Sequence, residues 1–366
     1  MRLQPGGGDS VARHTVDIGI SIGPLRTLHD GLGEFSVQLG QRIAARAGAF
    51  EAEHGVRLHF YLPEERHGIF GERVRYMATR PLHRVAHLAS ARFELWHTLN
   101  QHVAYRPPLH TVNRLLTVHD LNHLYTKAGA SLALHGVRAW RSLARADHVV
   151  AISRHVAEDV RRVGFAGPID VIYNGARSLV EAPSESVAGL EAGGYLFHLS
   201  RMAASKNVEA ILDLAAAWPE QRFVLAGPAS RSVKAMAASA VVRGLANVRV
   251  LAGVSDEQKA WLFAHCEGFL FPSITEGFGL PPLEAMHFGK PAFVSNRTCL
   301  PEIGGHVARY FDNFDPTSMR RVVEAGLAEA RQPGRADSIR RHAAGFSWDT
   351  CAERYLALYL RLTGLS

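Results

Sequence analysis

An α/β protein of two domains is the fold that the sequence predicts. Short apolar runs that end at polar or glycine-containing loops alternate with stretches whose apolar residues recur every three to four positions, a pattern typical of buried strands and their covering helices. The chain has 366 residues, 47% of them hydrophobic, which is enough for two substantial cores. Residues 178–193 are rich in Pro, Ser, Glu and Gly and lack periodicity, so we place a linker there, between domains at 1–177 and 194–345.

The first domain is predicted to contain six strands. They cover residues 16–22, 58–62, 93–99, 114–118, 148–152 and 169–173. The helix after the first strand opens at Gly31, and its apolar residues recur every four positions from Phe35 to Ile43. Ser153 is a favourable N-cap for the helix after the fifth strand, and residues 123–144 are predicted to be largely helical.

The second domain is predicted to contain five strands, at residues 194–199, 223–226, 248–251, 268–271 and 291–295. The predicted helices cover residues 207–218, 256–265, 281–288 and 348–362, and two more are expected to start at 310–312 and 315–316. The helix at 281–288 begins with two prolines, which lose nothing at the start of a helix, and Gly289 ends it.

Two glutamates flank the start of that helix. Glu276 is expected in the loop before it and Glu284 in its first turn. A helix N-terminus offers unpaired N–H groups and partial positive charge, which suit a phosphate, while carboxylates suit hydroxyl donors around it. The pattern therefore favours a ligand that carries both phosphates and sugar hydroxyls. An N-cap glutamate and a solvated helical glutamate in an ordinary βαβ unit are the alternative.

The residues around this pair resemble a known donor-binding segment. The E-x7-E spacing, the run GFGLPPLEAM and the downstream SNRTCLPEIGG resemble retaining glycosyltransferases of family 4, which have the GT-B fold. The resemblance implies two Rossmann-like domains that face a central cleft, with residues 346–366 returning as a helix to the first domain. It further implies that Glu284 holds the ribose of a nucleotide sugar and that Glu276 faces the transferred sugar. Donor contacts are expected in the turn between them, at Gly277, Phe278, Gly279 and Leu280.

Matching pieces of the first domain concern a histidine and a glycine-rich turn. His119 directly follows a predicted strand, where ligands bind in open parallel sheets, and its context LLTVHDL resembles the family's histidine beside the transferred sugar. The turn that contains Gly33 resembles the family's turn near the donor phosphates and the acceptor. A structural histidine and tight helix packing are the respective alternatives.

Two cations follow the first strand of the second domain. Arg201 and Lys206 resemble the family's arginine and lysine that bind the diphosphate, although either residue type in a loop is often only a surface charge. Gly227, in FVLAGPAS, is expected to pass close to the nucleotide. No D-x-D triplet occurs, so we predict no metal site, with the two cations and the helix N-terminus replacing a divalent ion.

Charge and composition restrict the partners. Lys and Arg exceed Asp and Glu by 41 to 34, which favours anionic partners, and no nucleic-acid-binding pattern accompanies the charge. No apolar run approaches the ~20 residues needed to span a bilayer and no signal pattern opens the chain, so a cytoplasmic protein is predicted. The basic segment 123–144 is either a solvated face or a surface for peripheral association with an anionic membrane. The three isolated cysteines indicate neither a disulfide framework nor a zinc site.

The resemblance implies a retaining hexosyltransferase without a cofactor. The same residues resemble those of bacterial mannosyltransferases of surface polysaccharide synthesis, which favours GDP-mannose as the donor, although a UDP-sugar donor stays open. The expected acceptor is a saccharide or a lipid-linked saccharide. A GT-B sugar-nucleotide 2-epimerase and a non-catalytic protein that binds sugar nucleotides are the alternatives.

Overall fold

The structure is a computed structural model, and it describes residues 15–23, 31–88 and 91–365, apart from the side chain of Ala133. The described residues form two compact units. The first lies within Met1–Thr117, Arg145–His148 and Ala352–Ser366, and the second within Val118–Ala144 and Val149–Cys351. The predicted domain and linker boundaries stay predictions.

Seven strands form one sheet, in the order β3-β2-β1-β4-β5-β6-β7. They are β1 (Val16–Ser21), β2 (Val56–Leu62), β3 (Arg75–Ala78), β4 (Phe93–Thr98), β5 (Thr111–Val118), β6 (His148–Ala151) and β7 (Ile169–Val171). The strands pair in parallel. All six predicted strands are confirmed within a few residues at each end. β3 was not predicted, because this short edge strand is only partly buried and lacks an apolar run.

The helices of this part of the chain are α1 (Gly31–His54), α2 (His123–Thr126), α3 (Gly129–Leu143) and α4 (Arg154–Arg162). Phe35, Leu39 and Ile43 of α1 are fully buried, as their spacing predicts. The segment 123–144, predicted to be largely helical, contains the two helices α2 and α3, and α3 starts at Gly129, whose φ is +53°. The Ser153 hydroxyl accepts the Val156 N–H at 3.2 Å, so this predicted N-cap is confirmed.

Six parallel strands form the other sheet, in the order β10-β9-β8-β11-β12-β13. They are β8 (Tyr195–Leu199), β9 (Arg222–Gly227), β10 (Val248–Ala252), β11 (Gly268–Phe271), β12 (Ala292–Ser295) and β13 (Arg309–Phe311). The five predicted strands are confirmed. The prediction that a helix starts at 310–312 is wrong, because β13 occupies this position and pairs with β12.

Eight helices are described in the second half of the chain. They are α5 (Val208–Ala217), α6 (Arg231–Val242), α7 (Asp256–His265), α8 (Leu280–His287), α9 (Leu300–Gly304), α10 (Pro316–Ala330), α11 (Arg335–Ala344) and α12 (Trp348–Thr363). α5, α10 and the strands between them enclose one core, in which Ile211, Leu225 and Phe293 are fully buried. The sequence did not predict α6, α9 and α11.

The C-terminal helix α12 packs onto the N-terminal part of the chain, as the resemblance implies. The Tyr359 hydroxyl lies 2.6 Å from His97 Nδ1, and the Tyr355 hydroxyl lies 2.9 Å from Thr117 Oγ1. The other nitrogen of the His97 ring lies 2.8 Å from the same threonine hydroxyl. The Tyr355 ring packs edge-on against Phe35 of α1. Because all these side chains are buried, each polar atom here needs a protein partner, and α12 supplies two of them.

Candidate functional site

The loop after β11 carries Glu276. β11 is buried along its whole length, and residues 272–279 connect it to α8. Gly279 caps α8 with φ of +100°, a conformation that a residue with a Cβ rarely adopts. Glu276 therefore lies in the loop before the helix, as predicted.

Glu284 lies on α8 itself. The helix begins at Leu280, one residue ahead of the two prolines, so Glu284 is its fifth residue. The prediction that Glu284 belongs to the first turn is therefore wrong by about one position. Its side chain is partly buried.

Phe278, in the loop before α8, is 4% exposed, and its ring centre lies 6.2 Å from that of Tyr173.

Lys206 and Glu276 form an ion pair. Lys206 Nζ lies 2.5 Å from Glu276 Oε1, and the two side chains are only 16% and 11% exposed. The ammonium also lies 5.5 Å from the centre of the Phe271 ring. Because both side chains are largely removed from solvent, water and salt screen the attraction between the two charges only weakly.

The backbone brings this pair together. Lys206 ends a short 3-10 turn at Ala204–Lys206, and the Ile274 N–H donates to the Ser205 carbonyl at 2.7 Å. The loop after β8 is thereby joined to the loop after β11. These two sequence positions, predicted separately, form one site.

Arg201 does not join the pair. Its side chain is exposed, and among the described residues the structure gives it no hydrogen bond or ion pair. Its predicted role with the diphosphate stays a prediction.

His198 supports the turn that carries Arg201 and Lys206. Its Nε2 lies 2.7 Å from the Ser200 hydroxyl, which accepts the Met202 N–H at 3.0 Å, and its Nδ1 lies 2.8 Å from the Leu270 carbonyl. Complete burial lowers the pKa of His198 to about 4, and the positive charge of Lys206 acts in the same direction. The imidazole is therefore neutral near pH 7. No sequence signal distinguished this histidine from any other strand residue.

Gly227 contacts this turn through its backbone. A Cβ at Gly227 would lie 2.3 Å from the Ser200 carbonyl oxygen. The glycine thus permits close packing of β9 on the turn after β8, and its predicted contact with a nucleotide stays a prediction.

Thr298 and Cys299 hold the backbone of the Glu276 loop. The Glu276 N–H donates to Thr298 Oγ1 at 3.2 Å, while the Cys299 thiol lies 3.3 Å and 3.2 Å from the carbonyls of Glu276 and Phe278. Burial, together with the nearby Glu276 carboxylate, raises the pKa of the Cys299 thiol well above its usual value. The thiol therefore stays protonated and donates. The sequence analysis missed both residues, because only the fold brings β12 and its loop beside Glu276.

The loop after β5 packs against the same turn. A Cβ at Gly277 would lie 1.9 Å from the carbonyl oxygen of His119, so the two backbones are in direct contact. The Ser153 hydroxyl donates to the Gly277 carbonyl at 2.9 Å, and the Thr275 hydroxyl lies 2.5 Å from the Asn122 side-chain oxygen. His119 itself is 5% exposed. The structure thus brings the predicted histidine to the predicted glutamate loop.

Gly33 belongs to the other unit. It is buried near the start of α1. Its predicted contact with donor and acceptor stays a prediction.

Residues 15–23, 31–88 and 91–365 contain no group of three or more His, Cys, Asp or Glu side chains that could hold a metal ion. All three cysteines are buried, and none of them forms a disulfide within the part of the chain that the structure describes.

Two family models match the chain, one in each half. The model described as Glycosyltransferase Family 4 matches residues 41–177, and the model described as Glycosyl transferases group 1 matches residues 188–328. Together they span most of the sequence. The chain belongs to glycosyltransferase family 4.

Relatives of this family 4 member include bacterial mannosyltransferases. Serotype-specific mannosyltransferase WbdA of Escherichia coli is 28% identical over 245 residues, which are 60% of this chain and 29% of WbdA. The O-antigen chain mannosyltransferase RfbU of Salmonella typhimurium is 25% identical over 217 residues, 58% of this chain and 60% of RfbU. The match therefore spans less than a third of WbdA.

A solved structure with the same fold is sucrose-phosphate synthase from Thermosynechococcus elongatus. It superposes with a TM-score of 0.71 over 96% of this chain and 100% of that one, at 19% identity. The predicted GT-B architecture of this family 4 chain is thereby confirmed.

The segment 123–144, for which the sequence leaves open a solvated face or a membrane surface, carries exposed apolar side chains. Leu134, Val137 and Trp140 of α3 are 52%, 45% and 56% exposed, and Arg138 and Arg141 are exposed beside them. Within the described ranges, no helix of this glycosyltransferase is long and apolar enough to cross a bilayer. Peripheral association stays a prediction.

Proposed function

We propose that this chain is a retaining mannosyltransferase. It would move mannose from GDP-mannose to a saccharide or lipid-linked saccharide acceptor in the synthesis of a cell-surface polysaccharide. The observation that carries the proposal is the partly buried ion pair between Lys206, in the turn after β8, and Glu276, in the loop directly before α8. The mannosyl group is supported by the relatives WbdA and RfbU, which are named as mannosyltransferases.

The pair suits the charges of a glycosyl transfer. When the bond between the sugar and the diphosphate breaks, negative charge collects on the leaving phosphate and positive charge on the sugar ring. Lys206 and Arg201 would stabilise the phosphate, and Glu276 the ring, while Glu284 would hold the ribose. Removing one such electrostatic contact typically costs ~3 to 4 kcal/mol of transition-state stabilisation.

The proposed step needs neither a metal ion nor a dedicated protein base. The acceptor hydroxyl attacks the anomeric carbon from the face that the phosphate leaves, so the configuration is retained. Its proton passes to an oxygen of the departing diphosphate. Gly277 to Leu280 would contact the donor through their backbone, and His119 would complete the sugar site from the loop after β5, with which Gly277 is in contact.

The first experiment is thermal unfolding with GDP, UDP, ADP and dTDP, each at the same excess. A nucleotide at about a hundred times its dissociation constant should stabilise the folded state by ~2.7 kcal/mol. We expect GDP alone to raise the unfolding temperature. A shift with UDP alone would overturn the GDP assignment, and no shift with any nucleotide would contradict a nucleotide site.

Turnover separates this proposal from its alternatives. Incubation with GDP-mannose and a mannose-terminated oligosaccharide should yield GDP and an extended oligosaccharide. Sugar isomerisation without acceptor would indicate a 2-epimerase. Binding without turnover of any of the donors would indicate a non-catalytic protein.

A further inference from the structure

An exposed apolar surface lies in the first unit. Leu82, Val85 and Leu88 recur at intervals of three residues and are 62%, 67% and 70% exposed. Leu109, 66% exposed, comes from a second segment. We call these four side chains the Leu82 surface. Single exposed apolar side chains are ordinary on proteins, but a group of large ones marks a contact surface.

Backbone hydrogen bonds join the two segments. The Arg106 N–H donates to the His83 carbonyl at 2.8 Å, and the Leu109 N–H donates to the His87 carbonyl at 3.2 Å. Leu109 therefore stands beside the segment that carries the three other apolar residues, and the four form one surface.

Buried aromatic side chains hold this surface in place. The buried Tyr61 hydroxyl lies 2.7 Å from His83 Nδ1, and the ring of His83 stacks on that of His87 at 3.9 Å. His87 is 3% exposed and packs edge-on against Trp96. The buried contacts of His83 and His87 thus fix the backbone of the segment that carries the exposed side chains.

The charged side chains within the two segments are all positive. Arg80, Arg84 and Arg106 are exposed, and the segments 80–88 and 105–110 contain no Asp or Glu. The Arg84 guanidinium lies 5.5 Å from the centre of the Tyr105 ring. This combination suits the interface of a bilayer. There the apolar side chains are buried among the acyl chains, and the lipid phosphates attract the arginines.

We propose that the Leu82 surface docks this protein on an anionic lipid bilayer. The location differs from the segment 123–144 that the sequence suggested. The inference goes beyond the proposed transfer reaction and does not rest on it, because vesicle binding can be measured without donor or acceptor.

The test is cosedimentation of the full chain with vesicles. We expect binding to vesicles that contain roughly a third phosphatidylglycerol, little binding to pure phosphatidylcholine, and weaker binding as salt increases. The triple variant Leu82→Ser/Val85→Ser/Leu109→Ser and the double variant Arg80→Glu/Arg84→Glu should each lower the vesicle partition coefficient about tenfold or more. Because these side chains are exposed, both variants should keep the wild-type unfolding temperature.

A matched control comes from the end of α6. Val241 and Val242 are 79% and 86% exposed in the other unit, so Val241→Ser/Val242→Ser removes similar apolar surface and should leave binding unchanged. Failure of the wild-type chain to bind anionic vesicles would overturn the proposal. So would loss of binding in Val137→Ser/Trp140→Ser on α3 with normal binding in the Leu82 variant.

Discussion

The hydroxyl of Thr298 accepts a hydrogen bond from the backbone N–H of Glu276 at 3.2 Å. The backbone of Thr298 itself has a φ of +52°. A β-branched residue is strained in this left-handed conformation, at a typical cost of about 1–3 kcal/mol. The strain persists because the surrounding contacts outweigh it, and they include the adjacent buried Cys299. The position of Glu276 is therefore set by residues that contact its backbone from outside the loop.

Substitution of Thr298 tests this contact. Thr298→Val keeps the shape but removes the acceptor, so we expect a loss of about 1–2 kcal/mol in the free energy of unfolding by urea, and a lower kcat. Thr298→Ser keeps the hydroxyl and should restore both quantities towards the wild type. Equal behaviour of the two variants would show that the hydrogen bond to Glu276 does not matter.

Glu276→Gln should separate catalysis from nucleotide binding. The substitution removes the negative charge that we assign to the sugar ring, so turnover should fall about a hundredfold or more while the affinity for the nucleoside diphosphate is kept. Transfer kinetics and calorimetric titration measure the two quantities. Glu209→Gln is the surface control, because this exposed carboxylate pairs with Arg243 at 3.4 Å. Near-normal turnover in Glu276→Gln would end the assignment.

Glu284→Ala should have the opposite profile. Loss of a carboxylate that accepts hydrogen bonds from ribose hydroxyls removes about 1.5–3 kcal/mol, so the dissociation constant of the nucleotide should rise about tenfold or more. Titration of the variant with nucleoside diphosphate measures it, and Glu284→Gln, which keeps an acceptor oxygen, should fall between. An unchanged affinity would remove Glu284 from the ribose role.

Gly277→Ala should disrupt the contact between the Glu276 loop and the loop after β5. The new Cβ would lie 1.9 Å from the His119 carbonyl oxygen, so one of the two backbones must move, and we expect a marked decrease in unfolding temperature. Gly136→Ala is the matched control: this glycine lies inside α3 with nothing within 4 Å of the added Cβ, and alanine there should stabilise by about 0.5–1 kcal/mol. Equal unfolding temperatures for the two variants would contradict the close contact.

The buried His198 makes stability depend on pH. Its pKa of about 4 in the folded protein lies below its ordinary value of 6.5, so between these values the unfolded chain binds the additional proton. The contribution of His198 to the free energy of unfolding should therefore be fully present above pH 6.5. It should fall by about 3 kcal/mol as the pH decreases to 4. His198→Gln cannot titrate, so its unfolding free energy should depend less steeply on pH. The same slope in both proteins would refute this contribution.

The amino-acid sequence by itself determined most of the strands and the position of Glu276 in the loop before a helix. The buried strands β8, β9 and β11 consist mostly of apolar residues, and Ser153 is a residue whose hydroxyl caps its own helix, so the local sequence pattern was sufficient. The sequence also predicted that Glu276 precedes α8 and that Glu284 lies on it, because both residues belong to one short segment. Even there the start of the helix, and with it the turn to which Glu284 belongs, was set by the capping Gly279 and not by the prolines.

Only the tertiary structure decided which distant residues meet. Lys206 pairs with a carboxylate 70 residues away, and the His119 backbone touches Gly277. Such contacts depend on the order of strands in a sheet, which leaves no periodic trace in the chain. The same reason hid the strand β13, whose three residues become a strand only through their pairing with β12. It hid the Leu82 surface as well, because exposure is a property of what the fold leaves uncovered.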